Sequence, residues 1–209
     1  MRILVTAGPT REYFDTVRFI SNASTGRMGY AIAAAAADRG HQMVLVSGPV
    51  VLPAPPVEVV RVTTAAEMLA ACEEAFAACD AAVMAAAVSD WRPAVREDHK
   101  AAKQTSCHTV ELEPTPDICA ALGAVKGRRV LVGFAVQDCE PHRRAEQKMV
   151  RKRCDAIVLN SPETMGSEKA RVEVKLADEP WSEPVTAGKG EIGRLVVELV
   201  ERLVAARGQ

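Results

Sequence analysis

Along the chain, short apolar runs alternate with longer stretches in which apolar positions recur every three or four residues. Arg2–Thr6 reads as a buried strand running straight into the turn Ala7-Gly8-Pro9-Thr10. Met43–Val46 and Val57–Val62 read as further strands, joined by the stiff connector Leu52-Pro-Ala-Pro-Pro56. Ala81–Val88 and Val130–Phe134 are apolar at nearly every position, the pattern of strands covered on both faces. Ala156–Leu159, closed by Asn160, is another strand. Between these runs, Tyr30–Asp38, Ala65 to Ala78, the segment from Pro116 and Arg143–Arg153 read as helices. Thr64-x-x-Glu67 has capping-box spacing, Pro116 suits a first helical turn, and Arg39-Gly40 suits a left-handed helix end. The last helix carries Ile192, Leu195, Val196, Leu199, Val200 and Leu203, a 3.6-residue stripe. Arg171–Leu176 alternates like an edge strand, with the segment around Trp181 as its partner.

Strands alternating with helices at roughly 25–30-residue intervals predict an α/β fold: a Rossmann-like, doubly wound, mainly parallel sheet. Residues 1–209 are expected to form a single domain, closed by a C-terminal edge hairpin and helix. Ser89 to Thr105 breaks the rhythm with a polar, Lys- and Arg-bearing loop, followed by a short strand at Thr109–Leu112. The stretch 89–113 is therefore expected to be a flap or arm.

Composition narrows the function. Hydrophobic residues make up 48% of the 209 but aromatics only 4%, so the core must be aliphatic. A formal net charge of −1 gives no global basic field, and no nucleic-acid partner is expected. No run reaches the roughly 20 apolar residues of a membrane span and no apolar signal run opens the chain, so a cytoplasmic location is expected. Six cysteines (Cys72, Cys79, Cys107, Cys119, Cys139, Cys154) have wide spacings and no C-x-x-C pair. They read as reduced thiols, with Cys72 and Cys79 two turns apart on one helix.

In an open parallel sheet, ligands bind beyond the carboxyl ends of the strands. Topology brings Gly8–Arg11, Ser47–Pro49, Ala87–Asp90, Gly133–Gln137 and Asn160 to that edge. Ser24, Thr25, Gly26 and Gly29 flank the start of the first helix, where small residues let backbone amides reach a phosphate. The competing reading is an ordinary helix cap with close packing at Gly29. There is no G-x-x-x-x-G-K-[ST], and the first turn offers only Gly8, which weighs against a dinucleotide fingerprint. Lys100 and Lys103 on the loop, and Lys148 with Lys152 four apart on one helical face, read either as solvated charges or as phosphate ligands. A nucleoside triphosphate brings about four negative charges that must be neutralised, which favours the second reading.

Val5-Thr-Ala-Gly-Pro-Thr-Arg-Glu12, Val17-Arg-Phe-Ile-Ser-Asn-x-Ser-Thr-Gly-Arg-Met-Gly29, Val46-Ser-Gly-Pro49, Ala85-Ala-Ala-Val-Ser-Asp90, Pro116-Asp-Ile118 and Val132-Gly-Phe134 together resemble the phosphopantothenate–cysteine ligase family. Members often form the ligase half of a bifunctional flavoprotein whose other half is a decarboxylase. The resemblance is strong to about residue 160. It implies a ligase that joins 4′-phosphopantothenate to cysteine through an acyl-cytidylate, converting CTP to CMP and pyrophosphate in coenzyme A synthesis. Carried over motif by motif, it implies catalytic roles for Asn22, Arg18 and Lys100. It implies substrate or nucleotide contacts at Gly8, Ser24, Thr25, Gly26, Gly48, Ala86, Ala87, Val88, Asp90, Lys103, Pro116, Asp117, Ile118, Phe134, Lys148 and Lys152. Mg²⁺ would ride on the triphosphate with no metal ligand from the protein directly, and no FMN is expected. A homodimer is implied, with the 89–113 arm reaching across, and a separate phosphopantothenoylcysteine decarboxylase as a further partner.

The chain departs from the family pattern in five places: Arg27 in place of Lys, Ala101-Ala102 within the lysine loop, Ala135-Val-Gln-Asp138 after Phe134, Ser161 after Asn160, and Thr164 to Lys175, where the family's Phe- and Asn-containing segment is not recognisable. Two other readings stand beside the ligase, in addition to a flavoprotein decarboxylase, which bound FMN would reveal by a yellow colour. One is a diverged homologue that uses ATP or serves as a non-catalytic subunit. The other is an NAD(P)-dependent Rossmann reductase, disfavoured by Ser47-Gly48 where an acidic residue would close the second strand.

Overall fold

The computed structural model describes residues 1–100, 102–103, 108–164 and 167–208. Ala101, Thr105 and Cys107, which entered the readings above, lie outside the described residues.

The chain opens with β1 (Arg2–Ala7), a small hairpin of β2 (Arg11–Tyr13) and β3 (Phe19–Ser21), and α1 (Arg27–Asp38). Next come β4 (Gln42–Ser47), β5 (Glu58–Arg61), α2 (Ala65–Phe76) and β6 (Ala81–Met84). A ribbon of β7 (Trp91–Pro93) and β8 (Leu112–Pro114) precedes α3 (Ile118–Val125), β9 (Val130–Val136), α4 (Pro141–Arg151) and β10 (Ala156–Asn160). The chain ends in β11 (Lys169–Leu176), β12 (Val185–Gly188) and α5 (Lys189–Arg207).

Among the described residues, the central sheet runs β12-β11-β10-β9-β6-β1-β4-β5. The six strands from β10 to β5 are parallel, and β11 is antiparallel to both its neighbours. This is the doubly wound sheet expected, with the predicted edge hairpin and final helix. Alternation along the strands feeds two cores. Ile3, Val5 and Ala7 pack with α1 and α5 on one face. Leu4, Val44 and Val46 pack with α2, α3 and α4 on the other.

The helix ends follow local chemistry. The Thr64 side chain accepts from the Glu67 amide at 3.2 Å while the Glu67 carboxylate accepts from Thr64 N at 3.4 Å, so the predicted capping box forms. Buried Glu12 adds a carboxylate that accepts from Ala65 N at 2.8 Å, at the positive end of α2. On α5 the side chains with almost no exposure are Ile192, Val196, Val197 and Val200, each contributing about 1.5–3 kcal/mol of apolar burial. Arg39 and Glu201 tie the far ends of α1 and α5 together through a bidentate pair at 2.8 and 2.6 Å.

Several elements differ from the reading of the sequence. The loop before α1 contains the β2–β3 hairpin. Buried Asp15 accepts from Val17 N and Arg18 N and tightens its turn, and the rings of Tyr13 and Phe19 lie 5.2 Å apart. β6 stops at Met84, where the Ala86 amide turns to the Thr6 hydroxyl, and pairing resumes in register only as a single parallel bridge between Pro9 and Ala87. The root of the arm is the ribbon β7–β8, so its second strand is Leu112–Pro114 rather than Thr109–Leu112. β11 takes β12 as its strand partner in the sheet, and the segment around Trp181 also meets it as expected, Ser182 N donating to the Val174 carbonyl at 2.9 Å; the Trp181 indole donates to Glu146 at 2.7 Å and lies against His142. Cys79 falls beyond the end of α2, and Leu195 is 41% exposed, its place in the stripe taken by Val197. Cys72, Cys79, Cys119, Cys139 and Cys154 are free thiols.

The turns after β1 and β4 are pressed together. A Cβ on Gly48 would sit 1.8 Å from the carbonyl oxygen of Pro9. Gly48→Ala should therefore lower stability by about 1–3 kcal/mol or more. A urea titration would show this as a lower midpoint at unchanged slope, and a wild-type midpoint would mean the two turns can part freely.

Candidate active site

After β1 the chain crosses to β4 and β5 on one side; after β6 it proceeds to β9 and β10 on the other. The crevice between these two directions, at the carboxyl ends of the strands, is where an open parallel sheet binds ligands. Here it is a cavity of about 700 Å³, with Thr6, Met84 to Val88, Phe134 to Gln137 and Asn160 along the strand ends.

Its floor is built by side chain and backbone together. Buried Thr6 accepts from Ala86 N at 3.1 Å, the Gly8 carbonyl accepts from Ala87 N at 2.9 Å, and buried Thr10 accepts from Ser89 N at 3.0 Å. Asn22 reaches over this floor and donates its amide protons to the carbonyls of Ala87 and Val88 at 3.1 and 2.9 Å. Both N–H groups are thereby used, leaving Oδ1 as an acceptor on an exposed side chain.

One wall is the start of α1. Gly26 is its N-cap, with φ +76°, and no side chain caps the helix. A Cβ at Gly26 would lie 2.7 Å from the Val50 side chain and 3.3 Å from the Gly8 backbone, so Gly8 and Gly26 fit back to back behind the wall. Ser24, Thr25, Gly26, Arg27 and Met28 line the cavity, and the uncapped first-turn amides are available to an anion. Gly29 meets Thr6 and Ala7, the close packing that the alternative reading supposed.

The opposite wall belongs to α3 and α4. Asp117 caps α3 by accepting from Ala120 N at 3.1 Å and pairs with Lys152 at 2.9 Å. Burial favours the neutral acid, but the hydrogen bonds from Lys152 and Ala120 outweigh it and hold the carboxyl below its usual range. Lys148 donates to the Phe134 carbonyl at 2.7 Å; burial, then the charge of Lys152, push its pKa down. Cys119 also lines the cavity, 3.5 Å from the sulfur of Cys154. The hydrogen bond between the thiols lowers the pKa of Cys119 and raises that of Cys154.

Of the residues singled out from the sequence, the structure brings Asn22, Ser24, Thr25, Gly26, Ala86, Ala87, Val88, Asp90, Pro116, Asp117, Ile118, Phe134, Lys148 and Lys152 to this cavity. Gly8 and Gly48 lie behind it, in the packed turns. Arg18 lies outside it, at the β2–β3 turn, with its Nε 2.7 Å from Asp15 and its guanidinium over Phe14. Lys100 and Lys103 are exposed on the arm, outside the cavity of their own chain. Lys189, Cys119 and Trp91 line the cavity although nothing in the sequence reading marked them. Lys189 carries no local motif; only the direction of β12 brings it here.

Residues 1–203 match the family model of the DNA/pantothenate metabolism flavoprotein C-terminal domain. The chain belongs to this family. A relative of this flavoprotein C-terminal domain is the coenzyme A biosynthesis bifunctional protein CoaBC of Escherichia coli strain K12. It is 46% identical over 165 residues, which cover 77% of this chain and 41% of that protein. The protein of the same name from Bacillus subtilis strain 168 is 42% identical over 167 residues, covering 79% and 41%. The chain thus spans about two fifths of the length of these relatives. The crystal structure of the C-terminal domain of a CoaBC superposes with a TM-score of 0.81 at 35% identity, covering 98% of this chain and 96% of that one. The family is the one the motifs of residues 5–29 and 85–90 resemble.

The Asp117–Lys152 pair gives the flavoprotein C-terminal domain an acid-sensitive wall. With its pKa depressed in the folded state, Asp117 contributes stability above the ordinary carboxylate pKa and loses it as pH falls through the folded value. Asp117→Asn should therefore flatten the loss of stability between neutral pH and the acid limb, measured as urea midpoints at stepped pH. Parallel curves for variant and wild type would show that the pair adds nothing.

Proposed function

We propose that this domain is the ligase of coenzyme A biosynthesis that joins 4′-phosphopantothenate to cysteine. It would consume CTP through an acyl-cytidylate and release pyrophosphate and then CMP. The observation that carries the reading is one crevice with an uncapped helix start and Asn22 on one side and the buried Lys148 with Lys152 on the other.

In the first step a carboxylate oxygen of the acid bonds to the α-phosphorus and the bond to pyrophosphate breaks. In the second, the cysteine amine attacks the acyl carbon and CMP leaves. Negative charge gathers on phosphoryl oxygens and then on a carbonyl oxygen, so fixed cations and amide donors are the useful groups. Lys148 and Lys152 supply cations beside Phe134 and Asp117, where a nucleotide would lie. Burial lowers the proton affinity of Lys148, and a bound triphosphate restores it. Asn22 offers Oδ1 to a hydroxyl or amide N–H of the acid. Small side chains at Ala86 and Ala87 leave room for the reacting atoms over the strand ends.

Among the described residues, no group of three or more His, Cys, Asp or Glu is placed to hold a metal ion. Mg²⁺ carried on triphosphate oxygens fits that donor set, with Asp90 the cavity carboxylate available to it, and would supply charge neutralisation.

We place Lys100 and Lys103 in the cavity of a second copy. The arm that carries them exposes Val95 and Leu112, which favours a homodimer with crossed arms.

Pyrophosphate release with 4′-phosphopantothenate, cysteine and either CTP or ATP tests the reading. CTP should support turnover; ATP alone doing so would change the nucleotide, and silence with both would end the ligase reading. Lys148→Gln and Lys152→Gln should each raise the nucleotide KM by about 10–100-fold, the size of a lost charged hydrogen bond. Lys100→Gln should cut the rate severely with an unchanged thermal melt, and an unaffected rate would remove Lys100 from the mechanism. Light scattering should give twice the chain mass.

A further inference from the structure

The cations of the cavity fall into two groups on opposite faces of the sheet. Lys148, Arg151 and Lys152 belong to the layer of α2, α3 and α4. Arg27 and Lys189 open α1 and α5 in the other layer, and both line the cavity. Lys189 arrives there because β11 reverses the chain and β12 reverses it again. β12 therefore runs parallel to β10, and α5 starts at the edge where the parallel strands end. The two helices are held tightly together: a Cβ at Gly193 would lie 2.7 Å from the Ala31 carbonyl oxygen.

Neither Arg27 nor Lys189 has an ion pair among the described residues, in contrast to Lys152 with Asp117. The first turn of α1 contains no acid, and Glu191 in that of α5 is exposed and outside the cavity. Burial and the charge of Arg27 both disfavour the protonated form of Lys189. Two like charges thus face one cavity, neither of them ion-paired with an acid among the described residues.

Resting on the ligase reading above, the acid substrate has two anionic ends, its reacting carboxylate and its terminal phosphate. If the triphosphate lies over Lys148 and Lys152, the reacting carboxylate sits over the strand ends beside Asn22. The remaining phosphate then falls on the α1–α5 side. We propose that Lys189, with Arg27, holds that terminal phosphate and makes the site discriminate phosphorylated from unphosphorylated acid. Lys189 is a specificity-determining residue, remote from the bonds that form and break.

Calorimetric binding of 4′-phosphopantothenate, of unphosphorylated pantothenate and of CTP to wild type, Lys189→Gln and Lys189→Arg tests this. Lys189→Gln should weaken 4′-phosphopantothenate binding by about 10-fold or more, the scale of a charged hydrogen bond. It should leave pantothenate and CTP binding unchanged, with Lys189→Arg restoring most of the loss. In turnover the KM for the acid should rise while kcat stays near wild type. Equal 4′-phosphopantothenate affinity in Lys189→Gln and wild type, or an equal loss for pantothenate or CTP, would overturn the assignment. A wild-type protein that binds no 4′-phosphopantothenate would overturn the ligase reading itself, and this inference with it.

Discussion

Three hydrogen bonds between two adjacent chain segments hold the rest of the site in place. Where β1 and β6 end, the pairing continues as Thr6 with Ala86, Gly8 with Ala87 and Thr10 with Ser89. Two of the three acceptors are hydroxyls buried among aliphatic neighbours, where a lost partner is costly. The alignment presents the Ala87 and Val88 carbonyls to Asn22. It also fixes the root of the arm, since Thr115 donates to the Ser89 carbonyl at 2.5 Å and its amide to that of Asp90. Cavity floor, the Asn22 amide and the arm therefore share one anchor.

Around that anchor the molecule separates its costs. The core is almost wholly Val, Leu, Ile, Ala, Met and Cys, and its close packing tolerates little change. Polar groups that the fold itself does not need gather at one edge. An uncapped helix, a buried lysine, a hydrogen-bonded thiol pair and two cations with no ion pair among the described residues all meet there. Such features weaken a fold slightly, and their concentration at the strand ends is what a preorganised site for anionic ligands requires.

The layered architecture was legible because its signals are local and repeated. Uninterrupted apolar runs marked the central strands, and Thr64 with Glu67 marked the start of α2. The β2–β3 hairpin was hidden because its strands are three residues long and its turn depends on one buried carboxylate, Asp15. The premature end of β6 was hidden for a related reason: Ala85 to Val88 are as apolar as the strand, and only distant hydroxyls divert them. Chain motifs drew Asn22, Asp117, Lys148 and Lys152 into one list, and tertiary structure shows that they share a cavity. Lys189 escaped notice because its position depends on two reversals of chain direction. Gly8 and Gly48 had the composition of ligand-binding turns, yet they pack against Pro9, Val50 and each other.

The pairing of α1 with α5 has a bearing on how the molecule is made. Arg39 and Glu201 meet across 162 residues of chain, so the apolar side of α1 stays uncovered until α5 has been synthesised. Six parallel strands can assemble earlier, but one layer then stands open to water and to other nascent chains. Such long-range closure slows folding more than it lowers final stability. The same helix that shields the first core also delivers Lys189 to the crevice, so maturation of the binding edge waits on the synthesis of α5.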